Sequence, residues 1–496
     1  MKEFMIDDLM RRSGVAFGTS GARGLAEEMT DRVCYIYTMG FLQYLESEGE
    51  LPGGETEVAV AGDLRLSTDR IMQAVCRAAA DRGYRPVNCG KIPSPAVALY
   101  GLVHRVPAIM VTGSHIPADR NGIKFNRCSG EILKPDEAGI RRQTVRVDDG
   151  IFSQRGAFLS ADTDRWPETT QAREAYVARY LDVFPSDCLQ GKRIGVYQHS
   201  AVGRDLLLEI YGGLGAETVP LGRSEDFVPV DTEAIRPEDV SLAARWAAEA
   251  SYVAIVSTDG DSDRPLIADE RGQWLRGDVA GILCARYLRA DAVSTPVSCN
   301  TALEKSGLFA RVDRTRIGSP YVISSMQQAS RAGCKRVVGY EANGGFLLQS
   351  DCELYGRRLP ALPTRDAVIL HLAILLLAER EGKRISELVA TLPQRFTASD
   401  RLQEISQTRS RSLLERFRSG WPAQDCEKGT DIFGSLCGVC RDIDHTDGVR
   451  MTFDSEEIIH LRPSGNAPEL RCYTETASPA RAAELNVACL KILRSL

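Results

Sequence analysis

The chain has 496 residues, enough for three or four domains of ordinary size, each with its own core. Its composition, 43% hydrophobic and 26% charged with 43 glycines and 22 prolines, excludes a collagenous, disordered or disulfide-stapled chain. A total of 61 Lys and Arg against 67 Asp and Glu leaves a net charge of −6, which argues against nucleic acid or an anionic membrane surface as the main partner.

In chain order, Met1 to Arg12 mixes acidic and basic residues and lacks the apolar centre of a secretory signal. Phe17-Gly18-Thr19-Ser20-Gly21-Ala22-Arg23-Gly24 follows as a loop in which glycines flank one arginine. From Val58 the pattern alternates: strand Val58 to Ala61, amphipathic helix Thr68 to Arg82, extended Arg85 to Cys89, helix Pro95 to Leu102, strand Ala108 to Val111. Asp148 to Asp164 is polar and unpatterned, as a linker would be, and a helix begins near Glu168. The alternation returns from Arg193, through helix Arg204 to Tyr211, strand Thr218 to Leu221, helix Pro237 to Glu249 and strand Tyr252 to Val256. After a boundary near Gly272 to Gly277 it returns again, from Asp291 to Gly339.

The longest apolar run, Ala367 to Ala378, is broken by His371 and is too short to span a bilayer, so it predicts a buried helix within Asp366 to Glu381. Thr391 to Asp400 reads as a hinge, and the remainder, ending in strands Glu457 to Leu461 and Leu470 to Glu475, reads as α+β. The chain therefore divides into α/β domains at 1–155, 156–272 and 273–392 and an α+β domain at 393–496. The 14 cysteines are scattered singly, which suits a reducing compartment and places the protein in the cytoplasm. Cys437 and Cys440 make one Cys-x-x-Cys pair that reads as structural: Cys426 and Cys472 would have to complete a zinc site, and their neighbours, strand-like Ile432-Phe433 among them, look like ordinary sheet residues.

Each repeated unit ends in an apolar strand that runs into a polar, glycine-bearing loop, and open α/β sheets bind ligands at such strand ends. In the second unit, Asp259-Gly260-Asp261-Ser262-Asp263 sets three carboxylates at alternate positions, a donor set for a hard divalent cation. It is not an EF-hand, because Arg264 stands where glycine is needed and a strand precedes it. In the first unit, Thr112-Gly113-Ser114-His115 exposes a serine able to act as nucleophile or phosphoryl carrier, and Lys124 follows the turn formers Asn121-Gly122. Arg462-Pro463-Ser464-Gly465-Asn466 combines guanidinium, hydroxyl, amide and open backbone, the donors a phosphate dianion requires. Taken singly, each of these loops also fits an ordinary solvated turn.

In this order the loops resemble those of the α-D-phosphohexomutase superfamily, the phosphoglucomutases and phosphomannomutases, from Phe17 to Glu475. The resemblance implies three related α/β domains around a central cleft and a mobile α+β fourth domain. It makes Ser114 the phosphoserine, and Asp259, Asp261 and Asp263 ligands of Mg2+, which also touches the Ser114 phosphoryl group. Lys124 would be the general base, with His115, Arg264 and Arg23 stabilising charge. Glu341, in Tyr340-Glu341-Ala342-Asn343-Gly344-Gly345, would read the sugar ring with Asn343, while Arg462, Ser464, Gly465 and Asn466 hold the non-reacting phosphate. The implied reaction exchanges the C1 and C6 phosphates of a hexose through a hexose 1,6-bisphosphate, in a monomer or homodimer.

Here the sequence departs from common forms: Asn343 stands for serine, Gly345 for a frequent histidine, Ile116 for asparagine and Ser319 for histidine. The Glu-Ala-Asn-Gly form is similar to bacterial phosphomannomutases, with phosphoglucomutase and phosphoglucosamine or acetylglucosamine-phosphate mutase as alternatives. A haloacid-dehalogenase type enzyme would also place Asp259 after a strand, but its motif opens the domain, whereas here a whole α/β unit comes first. A non-catalytic sugar-phosphate sensor is disfavoured by the presence of Ser114, Lys124 and all three aspartates.

Overall fold

Four strands recur three times with one connectivity. In the first unit Arg85–Lys91, Glu57–Gly62 and Ala108–Val111 lie parallel in that spatial order, and Arg120–Arg127 returns antiparallel beside the last. In the second, Glu217–Arg223, Arg193–His199 and Ala254–Thr258 are parallel and Pro265–Ala268 returns. In the third, Arg311–Thr315, Ala292–Pro296 and Val337–Tyr340 are parallel and Phe346–Leu348 returns. The computed structural model describes residues 1–18, 21–51, 56–160, 166–464 and 468–496.

The repeated order has a physical origin. Helices cover both faces of a parallel sheet, so its central strands are apolar throughout, and Ala108–Val111 and Ala254–Thr258 are buried at every position. The antiparallel return was not foreseen from the pattern, and it matters: each polar loop is held at both ends by a strand pair. In the first unit the sheet extends further, through Gly21–Leu25 and Ala16–Phe17, which sets Arg23 beside Gly122.

Helix Ala367–Glu381 is buried from Ala367 to Ala378, as its apolar run predicts. The Asp366 carboxylate caps its N-terminus by accepting from Val368 N, and Gly382 ends it in a left-handed conformation. This helix belongs to a continuous core drawing on all three units, with Ala59, Ile194 and Leu372 among its members. The C-terminal part is different. Its strands Phe396–Leu402, Leu470–Thr476, Ile458–Pro463, Val449–Phe453 and Cys440–Asp444 form one antiparallel sheet, which shares a separate core with helices such as Pro479–Ser495.

Several readings of the sequence are corrected. Ile432 and Phe433 are helical, within Pro422–Cys437, whose buried Asp425, Gly429, Phe433 and Cys437 recur every four residues. Asn121 and Gly122 form no turn but lie in strand Arg120–Arg127. The stretch from Asp148 to Ser160 packs back on the first unit instead of linking, with Phe152 and Phe158 stacked 4.9 Å apart beside Tyr35, and residues 161–165 lie outside the described set. The second unit's opening helix is Gln171–Leu181, and elements before Val58, chiefly helix Asp31–Ser47, build a further core on the first unit's sheet, with Val58, Val60 and Ile109. All cysteines are free thiols, and no helix among the described residues is long and apolar enough to cross a membrane.

Candidate active site

The loops between third and fourth strands of the first two units meet face to face. Ser114 takes a left-handed backbone conformation (φ 55°), a strained state for a residue with a side chain, and its N–H donates to Thr112 Oγ1 at 2.7 Å. Its Oγ donates to Asp259 Oδ2 at 2.6 Å. A methyl group at Gly260 would lie 2.7 Å from the Ser114 carbonyl oxygen, so this approach of two loops needs glycine there.

A buried scaffold that no motif disclosed holds the strained serine. Arg65, from the loop after the first strand, donates to the carbonyls of Ser114 (3.0 Å), Ile116 (2.6 Å), Pro117 (2.6 Å) and Arg120 (2.8 Å). Asp63 receives Arg65 Nε at 3.2 Å and the hydroxyls of Thr68 and Thr112 at 2.7 Å each. The guanidinium stacks 4.0 Å over the Phe227 ring of the second unit. One buried arginine thus binds the whole serine loop and seats it on its neighbour.

Asp259, Asp261 and Asp263 are buried, with one oxygen of each inside a cluster no wider than 4.8 Å. Burial, with Asp261 and Asp263 next in effect, pushes the Asp259 carboxyl well above the ordinary range. Burial would also raise Asp263, but Arg365, Lys124 and Arg264 outweigh it and hold that group well below the usual range. Lys124 Nζ donates to Asp263 Oδ2 at 2.7 Å and also to Asp261 Oδ2, which Ser94 Oγ reaches at 2.6 Å. Asp261 Oδ1 and Asp263 Oδ1 are buried without a hydrogen-bond partner. Three carboxylates supplying only oxygen donors, two of their buried oxygens without a hydrogen-bond partner, fit a hard divalent cation.

His115 and Arg264 complete this centre. Arg264 Nη1 donates to His115 Nδ1 at 2.8 Å, and Ser114 Oγ lies 3.3 Å from the same nitrogen. Burial first, then Arg264 and Arg23, depress His115 to about 2, so the ring is neutral. Arg23 is itself lowered to about 10 by burial and by Arg264, so its guanidinium is within electrostatic range of Arg264 and His115.

Family descriptions match almost the whole length: phosphoglucomutase/phosphomannomutase alpha/beta/alpha domain I over residues 14–149, domain II over 174–272, domain III over 276–396 and the C-terminal domain over 438–492. A phosphomannomutase of Salmonella muenchen is 46% identical over 488 residues, 98% of this chain and 97% of the other. The chain belongs to the phosphoglucomutase/phosphomannomutase family. A second phosphomannomutase, from Sinorhizobium fredii, is 42% identical, covering 97% of this chain and 99% of its own. The fold agrees with the crystal structure of a family protein from Burkholderia thailandensis, at a TM-score of 0.73 and 19% identity over 96% of both chains.

Within this family frame the third loop sits one unit further on. Glu341 is buried, and its Oε2 accepts from Arg365 Nη1 at 3.3 Å, while Arg365 Nε donates to Asp263 Oδ2 at 2.9 Å. Asn343 braces its own loop: its Oδ1 accepts from Gly345 N at 2.9 Å, and its carbonyl from Thr232 Oγ1 at 2.6 Å. Ser319 Oγ and Thr364 Oγ1 both donate to Glu131 of the first unit, at 3.0 and 2.6 Å. Arg462 lies on the fourth domain with Nε 3.0 Å from Asp447, whose Oδ2 accepts from Ile317 N at 2.9 Å, two residues before Ser319. Ser464 N donates to Glu469 O at 2.9 Å, while Gly465 and Asn466 lie outside the described residues, as do Thr19 and Ser20.

Proposed function

We propose that this chain is a phosphomannomutase that interconverts hexose 1-phosphate and hexose 6-phosphate through phosphorylated Ser114. The contact that carries the reading is Ser114 Oγ at 2.6 Å from Asp259 inside the three-aspartate cluster. Asp259, Asp261 and Asp263 hold Mg2+, which when bound offsets the charge on the transferring phosphoryl group. A hexose hydroxyl oxygen bonds to phosphorus as the bond from phosphorus to Ser114 Oγ breaks. Lys124 acts as general base in its neutral amine form, which still has two N–H groups for Asp261 and Asp263. Its lone pair takes the hydroxyl proton, one proton is passed on to Ser114 Oγ, and the product is a hexose 1,6-bisphosphate with no net proton gained or lost. Turned round in the cleft, the bisphosphate gives its other phosphate back to Ser114.

Neutral His115, held by Arg264, together with Arg23 places donors where phosphoryl oxygens gather charge. Glu341 and Asn343 bind the ring, and Arg462, Ser464, Gly465 and Asn466 grip the distal phosphate. Mannose is favoured over glucosamine because the relatives called phosphomannomutase are 46% and 42% identical, and those called phosphoglucosamine mutase 29% or less. The test is to compare turnover of mannose, glucose and glucosamine 1-phosphates with Mg2+ and catalytic bisphosphate. Mannose 1-phosphate should have the largest kcat/KM, and a clear preference for glucosamine 1-phosphate would overturn the assignment.

A further inference from the structure

Two features of this chain meet at one point. The loop that would read the sugar ends in Gly345, and Arg365 precedes the buried helix without belonging to any motif. A Cβ on Gly345 would fall 2.4 Å from Arg365 Cδ and 2.7 Å from its Cγ. The arginine stem therefore occupies the volume a side chain would need, and it is only 2% exposed. Its backbone is clamped on both sides, by Thr364 on Glu131 and by Asp366 capping the following helix.

That fixed guanidinium faces two loops from two units. Nε holds Asp263 Oδ2, leaving buried Oδ1 of the same carboxylate without a hydrogen-bond partner, and Nη1 holds Glu341 Oε2. A planar fork can orient two carboxylates at once, whereas an ammonium at the same place is a single point charge. We propose that Arg365 is a positioning residue that couples metal binding to sugar recognition, fixing Asp263 towards the cation and Glu341 towards the hexose ring. Gly345 is the small residue that makes room for it. This inference rests on the mutase reading for the identity of the sugar, but its metal arm does not depend on turnover.

The experiment uses Mn2+ as metal probe, titrated calorimetrically into full-length protein, alongside steady-state turnover of mannose 1-phosphate. Arg365→Met should weaken Mn2+ binding and raise KM, each by roughly tenfold or more, as for other residues that orient a metal ligand. Arg365→Lys keeps one donor for Asp263 but loses the fork that also holds Glu341, so Mn2+ affinity should recover to within about threefold while KM stays raised. Gly345→Ala, which displaces the stem without removing charge, should raise KM in the same direction, and it carries the test together with Arg365→Lys if the methionine variant does not fold. A lysine variant with wild-type KM, or a folded methionine variant with unchanged Mn2+ affinity, overturns the coupling. Wild-type protein that turns over no hexose phosphate overturns the mutase reading instead, and the Mn2+ titrations still decide whether Arg365 orients Asp263.

Discussion

Ser114 is held in a conformation that costs about 1 to 3 kcal/mol, and that strain persists because Arg65 binds four carbonyls around it. The serine hydroxyl is thereby turned onto Asp259 instead of outwards. Ser114→Ala should reduce turnover at least about a thousandfold while sugar-phosphate binding survives, since Glu341 and Arg462 are untouched. Intact-mass measurement should show one phosphoryl group on part of the wild-type protein and none on the variant. Phosphate mapped to another residue would refute the assignment of Ser114.

A second residue-scale consequence comes from three further buried neutral imidazoles, one of which, His199, lies 2.8 Å from the Thr258 carbonyl beside Asp259. His199 is lowered to about 4, His371 to about 3 and His460 to about 4, burial being the largest cause for each. Their unfolded pKa is about 6.5, so the unfolded chain takes up protons that the native chain refuses. Stability is therefore intact above pH 6.5 and falls as pH drops towards 4, each group contributing about 2 kcal/mol of loss by pH 5. His371 shares, through Nδ1, a hydrogen bond of 2.7 Å with Tyr211 Oη. Replacing it with glutamine should flatten the acid limb of urea-midpoint against pH by close to one proton, and an unchanged slope would contradict its neutral burial.

At the scale of elements, helix Ala367–Glu381 ties the three units into one core, so a cavity there should be felt throughout. Leu372 is fully buried, and Leu372→Ala should lower stability by about 2 to 5 kcal/mol, read as a shift in denaturation midpoint with unchanged KM. Helix Pro237–Glu249 was legible to the residue because proline opens it and two acidic residues fill its first turn. Ile432-Phe433 misled because a β-branched and an aromatic neighbour favour a strand locally, while the four-residue spacing of buried positions around them decides for helix. The site divides in the same way. Ser114 and the aspartates lie within contiguous loops whose chemistry is readable along the chain. Arg65, Ser94 and Arg365 acquire their roles only when the fold brings distant segments together, as with Ser94 and Asp261, 167 residues apart.

Across the whole molecule, the fourth domain has its own core and meets the third unit through polar contacts that include Ile317 N to Asp447 and Lys305 to Glu456. Glu475 accepts from Arg395 Nε at 2.7 Å and from Thr301 N at 3.2 Å, and Asn300 Nδ2 donates to the Arg395 carbonyl at 2.7 Å. A cavity of about 530 Å³ lies between Glu233 of the second unit and Arg401, Arg471 and Arg494 of the fourth. If Arg462 grips the distal phosphate as proposed, the expected response to ligand is rotation of the fourth domain into this space. Small-angle scattering should show a smaller radius of gyration with hexose bisphosphate than without it, and Arg462→Ala should raise KM and release more bisphosphate. Identical scattering profiles, with normal kinetics in the variant, would show a rigid fourth domain.

Because an antiparallel strand returns beside every third strand, each working loop is a closed clip with two anchored ends. A change inside one clip is not transmitted along the backbone to the other two. In the proposed reaction, phosphoryl carriage and cation binding fall to the first and second clips, and ring contact to the third. Under the proposed roles, a change of sugar preference made at Glu341 or Gly345 reaches Asp263 through Arg365. Directed evolution of substrate range in this chain therefore has a short target in which Glu341, Gly345 and Arg365 are varied together.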